Sequence, residues 1–204
     1  MTIAIIDCGS GNLRSVSNAF LNIGADAVVT SDPAVVKSAS HIVLPGVGAF
    51  GDVRAGLFAI DGMFEVLEEE ILHRKKPFLG ICVGMQLLAD AGMEHGEHKG
   101  FGWIKGTVEA IKPADTKLKI PHMGWNNLSV QPHPIFAKLP ENPDVYFVHS
   151  YHFRAENQND IIATVDYGGE ITAAVARENI IGVQFHPEKS QKIGLAVLNN
   201  FVNL

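Results

Sequence analysis

The stretch "FLGICVGMQLLA", residues 78–89, decides how the chain is expected to fold. An apolar run of strand length ends at Gly80-Ile81-Cys82-Val83-Gly84, and a helical pattern over 85–92 follows directly. A sharp strand-to-helix turn exposes its central residue and requires small neighbours, which the two glycines supply. The pattern therefore predicts a turn that presents the Cys82 thiol as a nucleophile. A buried cysteine in a glycine-tolerant turn is the alternative interpretation.

The segments around this turn alternate between strand-like and helical patterns. Apolar runs of strand length lie at 2–7, 26–30, 41–46 and 77–81, with helical periodicity between them. Such alternation predicts parallel strands joined by right-handed helical crossovers. Closely spaced strand candidates follow in the second half, and a helix closes the chain. We therefore expect an α/β fold, an open and mostly parallel sheet flanked by helices, with an antiparallel extension in the second half and one domain over residues 1–204.

The bulk composition excludes several classes of protein. Of the 204 residues, 47% are hydrophobic and 19% are charged, and the net charge is −6. This balance is typical of a globular protein and argues against nucleic-acid binding through a basic surface. Two cysteines, Cys8 and Cys82, cannot form a disulfide framework and fit a reducing compartment. With no signal-peptide pattern and no apolar run of membrane length, we expect a cytoplasmic protein that does not bind membranes.

A thiol nucleophile needs a base and a group that orients the base, and "GVQFHPEKS", residues 182–190, supplies both. His186 follows a strand-like run, so we expect it at the carboxyl end of a strand, where ligands bind in α/β sheets. Glu188 lies two residues further on, a spacing that lets its carboxylate contact the far ring nitrogen. His149 and His152, in "FVHSYHF", are rival bases.

The segment "LPGVGAFG", residues 44–51, has three glycines directly after a strand. Backbone of this kind can approach a substrate closely, so Gly46, Val47 and Gly48 are candidates for an oxyanion hole. The N–H of Val83, directly after the thiol, is a second candidate donor. An ordinary tight turn is the alternative interpretation of 44–51.

Two further motifs give weaker signals. In "EHGEHKG", residues 94–100, two histidines three residues apart are poor zinc spacing, and a solvated loop is the preferred interpretation. "GSGNLR", residues 9–14, is similar to a dinucleotide-binding turn but has Arg14 at the position of the third glycine. We therefore expect neither a metal nor a cofactor.

In their order and spacing, these motifs resemble the class I glutamine amidotransferases. The resemblance rests on "PGVGAFG", "GICVGMQLL" and "GVQFHPEKS", and it covers essentially the whole chain. "IDCGSGNLRSV", "IPHMGWN" and "YFVHSYHF" narrow it to the glutaminase subunits of imidazole glycerol phosphate synthases, which act in histidine biosynthesis. One departure is visible, since those proteins usually read "DYGSGNL" and this chain has Cys8 in place of the tyrosine.

The resemblance implies a catalytic triad of Cys82, His186 and Glu188. The implied reaction is hydrolysis of L-glutamine to glutamate and ammonia through a γ-glutamyl thioester. The resemblance also implies that Gln86 and three consecutive backbone units hold the polar ends of glutamine. Those backbone units belong to His149, Ser150 and Tyr151.

A partner is implied as well, namely a cyclase subunit with a (β/α)₈ barrel that forms a heterodimer with this chain. The cyclase would use the ammonia to make imidazole glycerol phosphate and AICAR. The residues implied at the interface are Asn12, Arg14, Pro121, Met123, Trp125 and Asn126. Read alone, Met123 and Trp125 would be ordinary core residues. The surrounding Pro, Gly and Asn favour a loop, where an aromatic anchor more often forms an interface.

Three classes of function are open at this point. The first is the glutamine amidotransferase subunit. The second is a different enzyme on a similar sheet, either a cysteine hydrolase or deglycase, or an amidotransferase of another pathway. The third is a non-catalytic binding module, which would be expected to have an incomplete triad. The complete triad and the position of the His-Pro-Glu segment near the end of the chain favour the first.

Overall fold

The computed structural model describes residues 1–204. The strands are β1 (Thr2–Ile6), β2 (Asp26–Thr30), β3 (His41–Gly46), β4 (Phe78–Cys82), β5 (Ala91–Gly92), β6 (His98–Lys99), β7 (Gly106–Ala110), β8 (His122–Val130), β9 (Asp144–His149), β10 (Tyr151–Ala155), β11 (Ile161–Asp166), β12 (Glu170–Arg177) and β13 (Ile180–Val183). The α-helices are α1 (Leu13–Asn22), α2 (Pro33–Ser38), α3 (Phe50–Phe58), α4 (Met63–Leu67), α5 (Val83–Gln86) and α6 (Gln191–Val202). A π-helical segment, Glu68–His73, extends α4, and 3₁₀ turns cover Pro134–Phe136, Gln158–Asp160 and Pro187–Lys189.

Nine strands form one sheet in the order β2-β1-β3-β4-β13-β12-β11-β8-β9. Neighbouring strands from β2 to β13 run parallel, and neighbours from β13 to β9 run antiparallel. This arrangement confirms the predicted fold class, including the antiparallel extension. The carboxyl ends of β3, β4 and β13 lie side by side in the middle of the sheet, which is where ligands bind in folds of this type.

A smaller sheet of four strands has the order β10-β7-β5-β6. Only Ser150 separates β9 from β10, yet these two strands belong to different sheets. The chain therefore leaves the main sheet at this residue. As a result, the backbone N–H of Ser150 has no backbone partner.

One contiguous cluster of 53 buried hydrophobic residues extends from Ile3 to Phe201. Strands β3 and β4 are buried along their whole length, as expected for parallel strands covered by helices on both faces. None of the helices is both long enough and apolar enough to cross a membrane.

Two local predictions are wrong. The helix expected over 85–92 is a single turn, because α5 ends at Gln86 and Ala91–Gly92 forms a strand. The carbonyls of Leu87, Leu88 and Ala89 accept hydrogen bonds from N–H groups in residues 101–104, so tertiary contacts replace the helical ones. Met123 and Trp125, which the neighbouring Pro, Gly and Asn place in a loop, instead belong to β8 and pair with β9, in agreement with the strand candidate over 117–130.

Candidate active site

The turn at Cys82 has the geometry that the glycine pattern predicts. Cys82 lies between β4 and α5 with a φ of 55°, a conformation that a side chain rarely adopts. A Cβ on Gly84 would overlap the carbonyl oxygen of Leu44, and one on Gly80 would overlap the Gly84 carbonyl. The two glycines therefore let β3, β4 and α5 approach closely, and the surrounding contacts hold the strained thiol residue in place.

His186 and Glu188 form a buried pair beyond the end of β13. The Nδ1 atom of His186 lies 2.8 Å from Oε1 of Glu188, and the two side chains are 2% and 1% exposed. Because a carboxylate only accepts hydrogen bonds, it keeps the proton on Nδ1 and orients the ring. The opposite atom, Nε2, has no hydrogen-bond partner and is the one available for chemistry.

The charge state of His186 follows from its neighbours. Burial by itself lowers the pKa of His186, but the Cys82 sulfur and the Glu188 carboxylate oppose it and together raise that pKa to about 10. A protonated imidazole beside a thiolate is the charge state in which a cysteine acts as a nucleophile.

The rival histidines are unsuitable as bases. The Nδ1–H of His149 donates to the Tyr151 carbonyl at 2.8 Å, and its Nε2 accepts from Nδ1 of His122 at 2.9 Å. Both ring nitrogens are therefore occupied, and burial above all lowers the pKa of His149 to about 3, which keeps the ring neutral. His152 lies in β10 and lines a separate cavity of about 160 Å³.

The cavity at the thiol has a volume of about 460 Å³. The predicted site residues that line it are Val47, Gly48, Cys82, Val83, Gln86, Pro121, His149, Ser150, Tyr151 and His186. Glu188 is not among the residues that line it. A larger groove of about 810 Å³ lies over the antiparallel part of the sheet and includes none of the predicted site residues. We place the candidate site in the smaller cavity because both the predicted nucleophile, Cys82, and the predicted base, His186, line it.

The predicted oxyanion segment is only partly at the cavity. Val47 and Gly48 line it, whereas Gly46 is the buried end of β3, in register with Cys82. The Ser10 hydroxyl accepts the Val47 N–H at 3.1 Å and donates to the Val47 carbonyl. The Val47 N–H is therefore engaged in this conformation. The Gly48 N–H has no backbone partner and is the donor that this loop can offer.

Gln86 and Ser150 present different groups to the cavity. The Gln86 amide donates both N–H groups inside the protein, to Oε1 of Gln184 at 3.0 Å and to the Tyr151 carbonyl at 3.2 Å. Only its carbonyl oxygen is left for a ligand. The unpaired backbone N–H of Ser150 is a donor for an anionic group.

Sequence reasoning missed Glu94, which lies in the segment 94–100 that is predicted to be a solvated loop. Its Oε2 accepts the Phe50 N–H at 2.8 Å at the start of α3, and both Glu94 and His95 line the cavity. This carboxylate can bind an ammonium group. No local signal marks it, because only the packing of β5 and β6 brings residues 94–95 to the end of β4. No three His, Cys, Asp or Glu side chains come together in a way that could hold a metal ion.

Gln184 is a second residue that sequence reasoning missed. It is fully buried, and its Nε2 donates to the Cys82 sulfur at 3.6 Å. It lies within "GVQFHPEKS", two residues before His186, but the sequence does not show which way its side chain points.

The residues assigned to a partner interface are mostly at the surface. Met123 is 61% exposed, Trp125 is 45% exposed, and Pro121 is exposed as well. The alternative that Met123 and Trp125 are core residues is therefore wrong. Arg14 is exposed in the first turn of α1, and Asn12 and Asn126 are half-buried.

Cys8 is 5% exposed, in a position where an added Cβ on Gly56 of α3 would overlap the Cys8 carbonyl. Burial raises the pKa of its thiol. This second cysteine is therefore a packed residue rather than a reactive group at the surface.

Comparison with known proteins agrees with this site. Residues 4–204 match the family described as "Glutamine amidotransferase class-I". The imidazole glycerol phosphate synthase subunit HisH of Rhodospirillum rubrum is 55% identical, over 99% of this chain and 98% of that protein. The corresponding subunit of Mesorhizobium japonicum is 51% identical with the same coverage.

Solved structures share the fold at lower identity. A glutamine amidotransferase crystal structure superposes with a TM-score of 0.76 at 15% identity, over 98% of this chain and 97% of that one. PurLQS from Thermotoga maritima superposes with a TM-score of 0.75 at 20% identity, over 99% and 97%. The chain thus belongs to the class I glutamine amidotransferases and, within them, to the family of the imidazole glycerol phosphate synthase HisH subunits.

Proposed function

We propose that this chain is the glutaminase subunit of an imidazole glycerol phosphate synthase, which hydrolyses L-glutamine and passes the ammonia to a cyclase subunit. One observation carries the proposal. The thiol of Cys82, held at a strained turn, shares a cavity with His186, whose far ring nitrogen is held by Glu188. Family membership supports glutamine as the substrate rather than another acyl compound.

The proposed reaction has two chemical steps. The Cys82 thiolate attacks the side-chain amide carbon of glutamine, and the N–H groups of Gly48 and Val83 stabilise the charge on the oxygen. His186 gives its Nε2 proton to the nitrogen, the C–N bond breaks, and ammonia leaves. Water then attacks the γ-glutamyl thioester and gives a proton to Nε2, and the C–S bond breaks to restore the thiolate. Glu188 keeps the Nδ1 proton in place throughout.

The polar ends of glutamine find complementary groups in the cavity. One oxygen of Glu94 is bound to the Phe50 N–H, and we assign the other to the α-ammonium group. The free carbonyl oxygen of Gln86 is a second acceptor for that group. The backbone N–H of Ser150 is assigned to the α-carboxylate. Recognition of both charged ends would explain a preference for a free amino acid.

Ammonia is useful to a partner only while it stays neutral and undiluted, so a covered path between the two active sites is needed. Val47 and Pro121 both line the cavity and are exposed to solvent. Met123 and Trp125 extend this apolar surface along β8. We propose that the (β/α)₈ barrel of the cyclase covers it in a heterodimer, with Asn12, Arg14 and Asn126 as polar contacts.

Two further expectations belong to this proposal. Residues 1–204 act as one domain, which the single contiguous core supports. The protein works in the cytoplasm, which its two unpaired cysteines support.

The test is glutamate release from glutamine by the purified chain, alone and then with the cyclase subunit and its nucleotide substrate. Strong stimulation by the loaded partner is expected. Activity that ignores the partner would contradict the assigned pathway while keeping the amidotransferase chemistry. No glutamate under either condition would reject the proposal in favour of a cysteine hydrolase with another substrate or a silent binding module.

A further inference from the structure

A buried amide contacts the nucleophile from inside the protein. Gln184 has no solvent exposure, and its Nε2 lies 3.6 Å from Sγ of Cys82, an ordinary distance for a hydrogen bond to the larger sulfur atom. Burying an amide costs free energy unless its hydrogen bonds are satisfied, so the position calls for an explanation. The steps described above give Gln184 no part.

The backbone fixes this contact. Val183, the last residue of β13, pairs with Ile81 of the parallel strand β4. The residues that follow them, Gln184 and Cys82, therefore lie side by side. The Gln184 N–H donates to the Ala173 carbonyl at 2.8 Å, which ties the residue to β12. The amide is therefore held beside the sulfur by two strands rather than by a mobile loop.

Neighbouring groups decide which end of the amide faces the sulfur. The Tyr151 carbonyl can only accept hydrogen bonds, so the group of Gln86 that lies 3.2 Å from it must be the NH₂. The same NH₂ lies 3.0 Å from the Gln184 amide, and it needs an acceptor there, which must be Oε1. The remaining end of the Gln184 amide is its NH₂, and it faces Cys82. The sulfur thus receives an N–H donor rather than a carbonyl oxygen.

We propose that Gln184 is a catalytic residue that stabilises the anionic sulfur of Cys82 by donating an N–H to it. The inference rests on the proposed glutaminase function for its kinetic consequences, but not for the thiolate itself. The orientation is set before any substrate arrives, because Gln86 and the Tyr151 carbonyl hold the amide in place. Preorganised dipoles of this kind act strongly in a site that excludes water.

The N–H matters at two points in the reaction. In the thiolate that attacks, the sulfur is negative and the donor stabilises this charge. In the thioester the sulfur is neutral, so the hydrogen bond weakens. When water has added and the C–S bond breaks, the electron pair returns to sulfur, and the same N–H stabilises the leaving thiolate. Hydrolysis of the thioester therefore benefits directly.

The test uses two substitutions, Gln184→Met, which keeps the length and removes the donor, and Gln184→Glu, which places a carboxylate against the sulfur. Each variant is compared with wild type for the rate of Cys82 alkylation by iodoacetamide as a function of pH, with Cys82→Ser correcting for Cys8. Glutaminase kcat and KM are then measured in the complex with the cyclase subunit. Asn179→Leu is the matched control, because Asn179 is an amide at the other end of β13 that bonds the Ile71 and Lys76 carbonyls.

For Gln184→Met we expect the midpoint of the alkylation pH profile to move upward by about one to two pH units, with a larger shift for Gln184→Glu. We expect kcat to fall about 10- to 100-fold, with KM changed by less than about twofold. Asn179→Leu should leave alkylation unchanged. Near-ultraviolet circular dichroism identifies a variant that has lost its fold, and Gln184→Glu then decides in place of Gln184→Met.

An unchanged alkylation profile in a folded Gln184 variant would overturn the proposal, as would an equal effect of Asn179→Leu. A wild-type complex that releases no glutamate would contradict the proposed function instead. In that case the alkylation comparison still decides the role of Gln184, because it needs neither glutamine nor the partner.

Discussion

The Nδ1 atom of His186 lies 2.8 Å from Oε1 of Glu188, while the Nε2 atom on the other side of the ring has no partner. One nitrogen is thus committed to orientation and the other is free for proton transfer. The two residues are joined by a single proline, so this pair forms locally. Its function depends on the sulfur that a different strand brings to the same cavity.

Substitution of the nucleophile separates the two reactions of the complex. Cys82→Ala should abolish glutamine-dependent synthesis, because no thioester forms, while synthesis from added ammonia continues in the cyclase. Both rates are measured on the same reconstituted complex. Glutaminase activity that persisted in Cys82→Ala would show that the triad is assigned wrongly, whereas Cys8→Ala should retain both activities.

Removing the charge of Glu188 should change the titration of His186. The pKa of His186 is raised to about 10, and Glu188→Gln should lower it toward the ordinary value of about 6.5. The measurement is an NMR titration of the imidazole in the isolated chain. Glu156→Gln, at an exposed position, is the control. An unchanged titration would mean that the carboxylate does not hold the proton.

The same group makes stability depend on alkaline pH. Because the folded-state pKa of His186 lies above its unfolded value, the stability that this group contributes is fully present below about pH 6.5. It is lost as the pH rises toward 10, so the free energy of unfolding should decline over this interval. Urea titrations at several pH values should show a shallower decline in Glu188→Gln than in wild type. Equal slopes would argue against the linkage.

The His122–His149 pair should produce the opposite dependence at acidic pH. Burial lowers the pKa of His122 to about 4, and burial above all lowers that of His149 to about 3. The folded state therefore binds fewer protons than the unfolded state below about pH 6.5, and stability should fall as the pH falls toward these values.

His122→Phe tests this dependence, since a ring at 122 can keep its stacking on Phe147 and Tyr167. It removes one titrating group and leaves Nε2 of His149 without a donor. The variant should be less stable at neutral pH but lose less stability on acidification. A steeper acid dependence than wild type, in urea titrations at pH 5 and 7, would contradict the assignment.

The strand-to-helix turn should not tolerate a side chain at Gly84. An added Cβ would overlap the Leu44 carbonyl, which is backbone in the middle of the sheet and cannot move aside. Gly84→Ala should therefore destabilise the protein by about 3 kcal/mol or more. Gly62→Ala is the control, because its surroundings are open and only its φ of 72° is unfavourable, costing about 1 kcal/mol. Similar losses for both in urea unfolding would contradict the close approach.

Trp125→Ala should weaken the complex more than the fold. The ring is 45% exposed and contacts Tyr146 edge-on, so its removal should cost the isolated chain about 1 kcal/mol or less. Affinity for the cyclase, measured by calorimetry, should fall about tenfold or more. Val29→Ala, on the edge strand β2 at the other end of the main sheet, should leave that affinity unchanged. Unfolding of Trp125→Ala, or an unchanged affinity for the cyclase, would contradict the interface assignment.

Local patterns predicted the main sheet well because each of its elements carries its own signal. The buried strands β3 and β4 are continuous apolar runs, and the turn at Cys82 is marked by glycines on both sides. The helix over 85–92 failed because its carbonyls bond a segment more than ten residues away, which periodicity cannot register. The neighbouring Pro, Gly and Asn favour a loop at Met123 and Trp125, whereas the pattern of 117–130 favours a strand, and the structure has the strand β8.

The sequence by itself determined the strand-to-helix turn at Cys82 and the His-Pro-Glu spacing at 186–188, since both are local patterns, and these predict the nucleophile, the base and its orienting carboxylate. The tertiary structure alone decided that Glu94 reaches the cavity, that Ser10 engages the Val47 N–H, and that the Gln184 amide faces the sulfur. These contacts join residues 37 or more positions apart along the chain or depend on the direction of one side chain. Strand register and packing set them, and no pattern of neighbouring residues encodes that information.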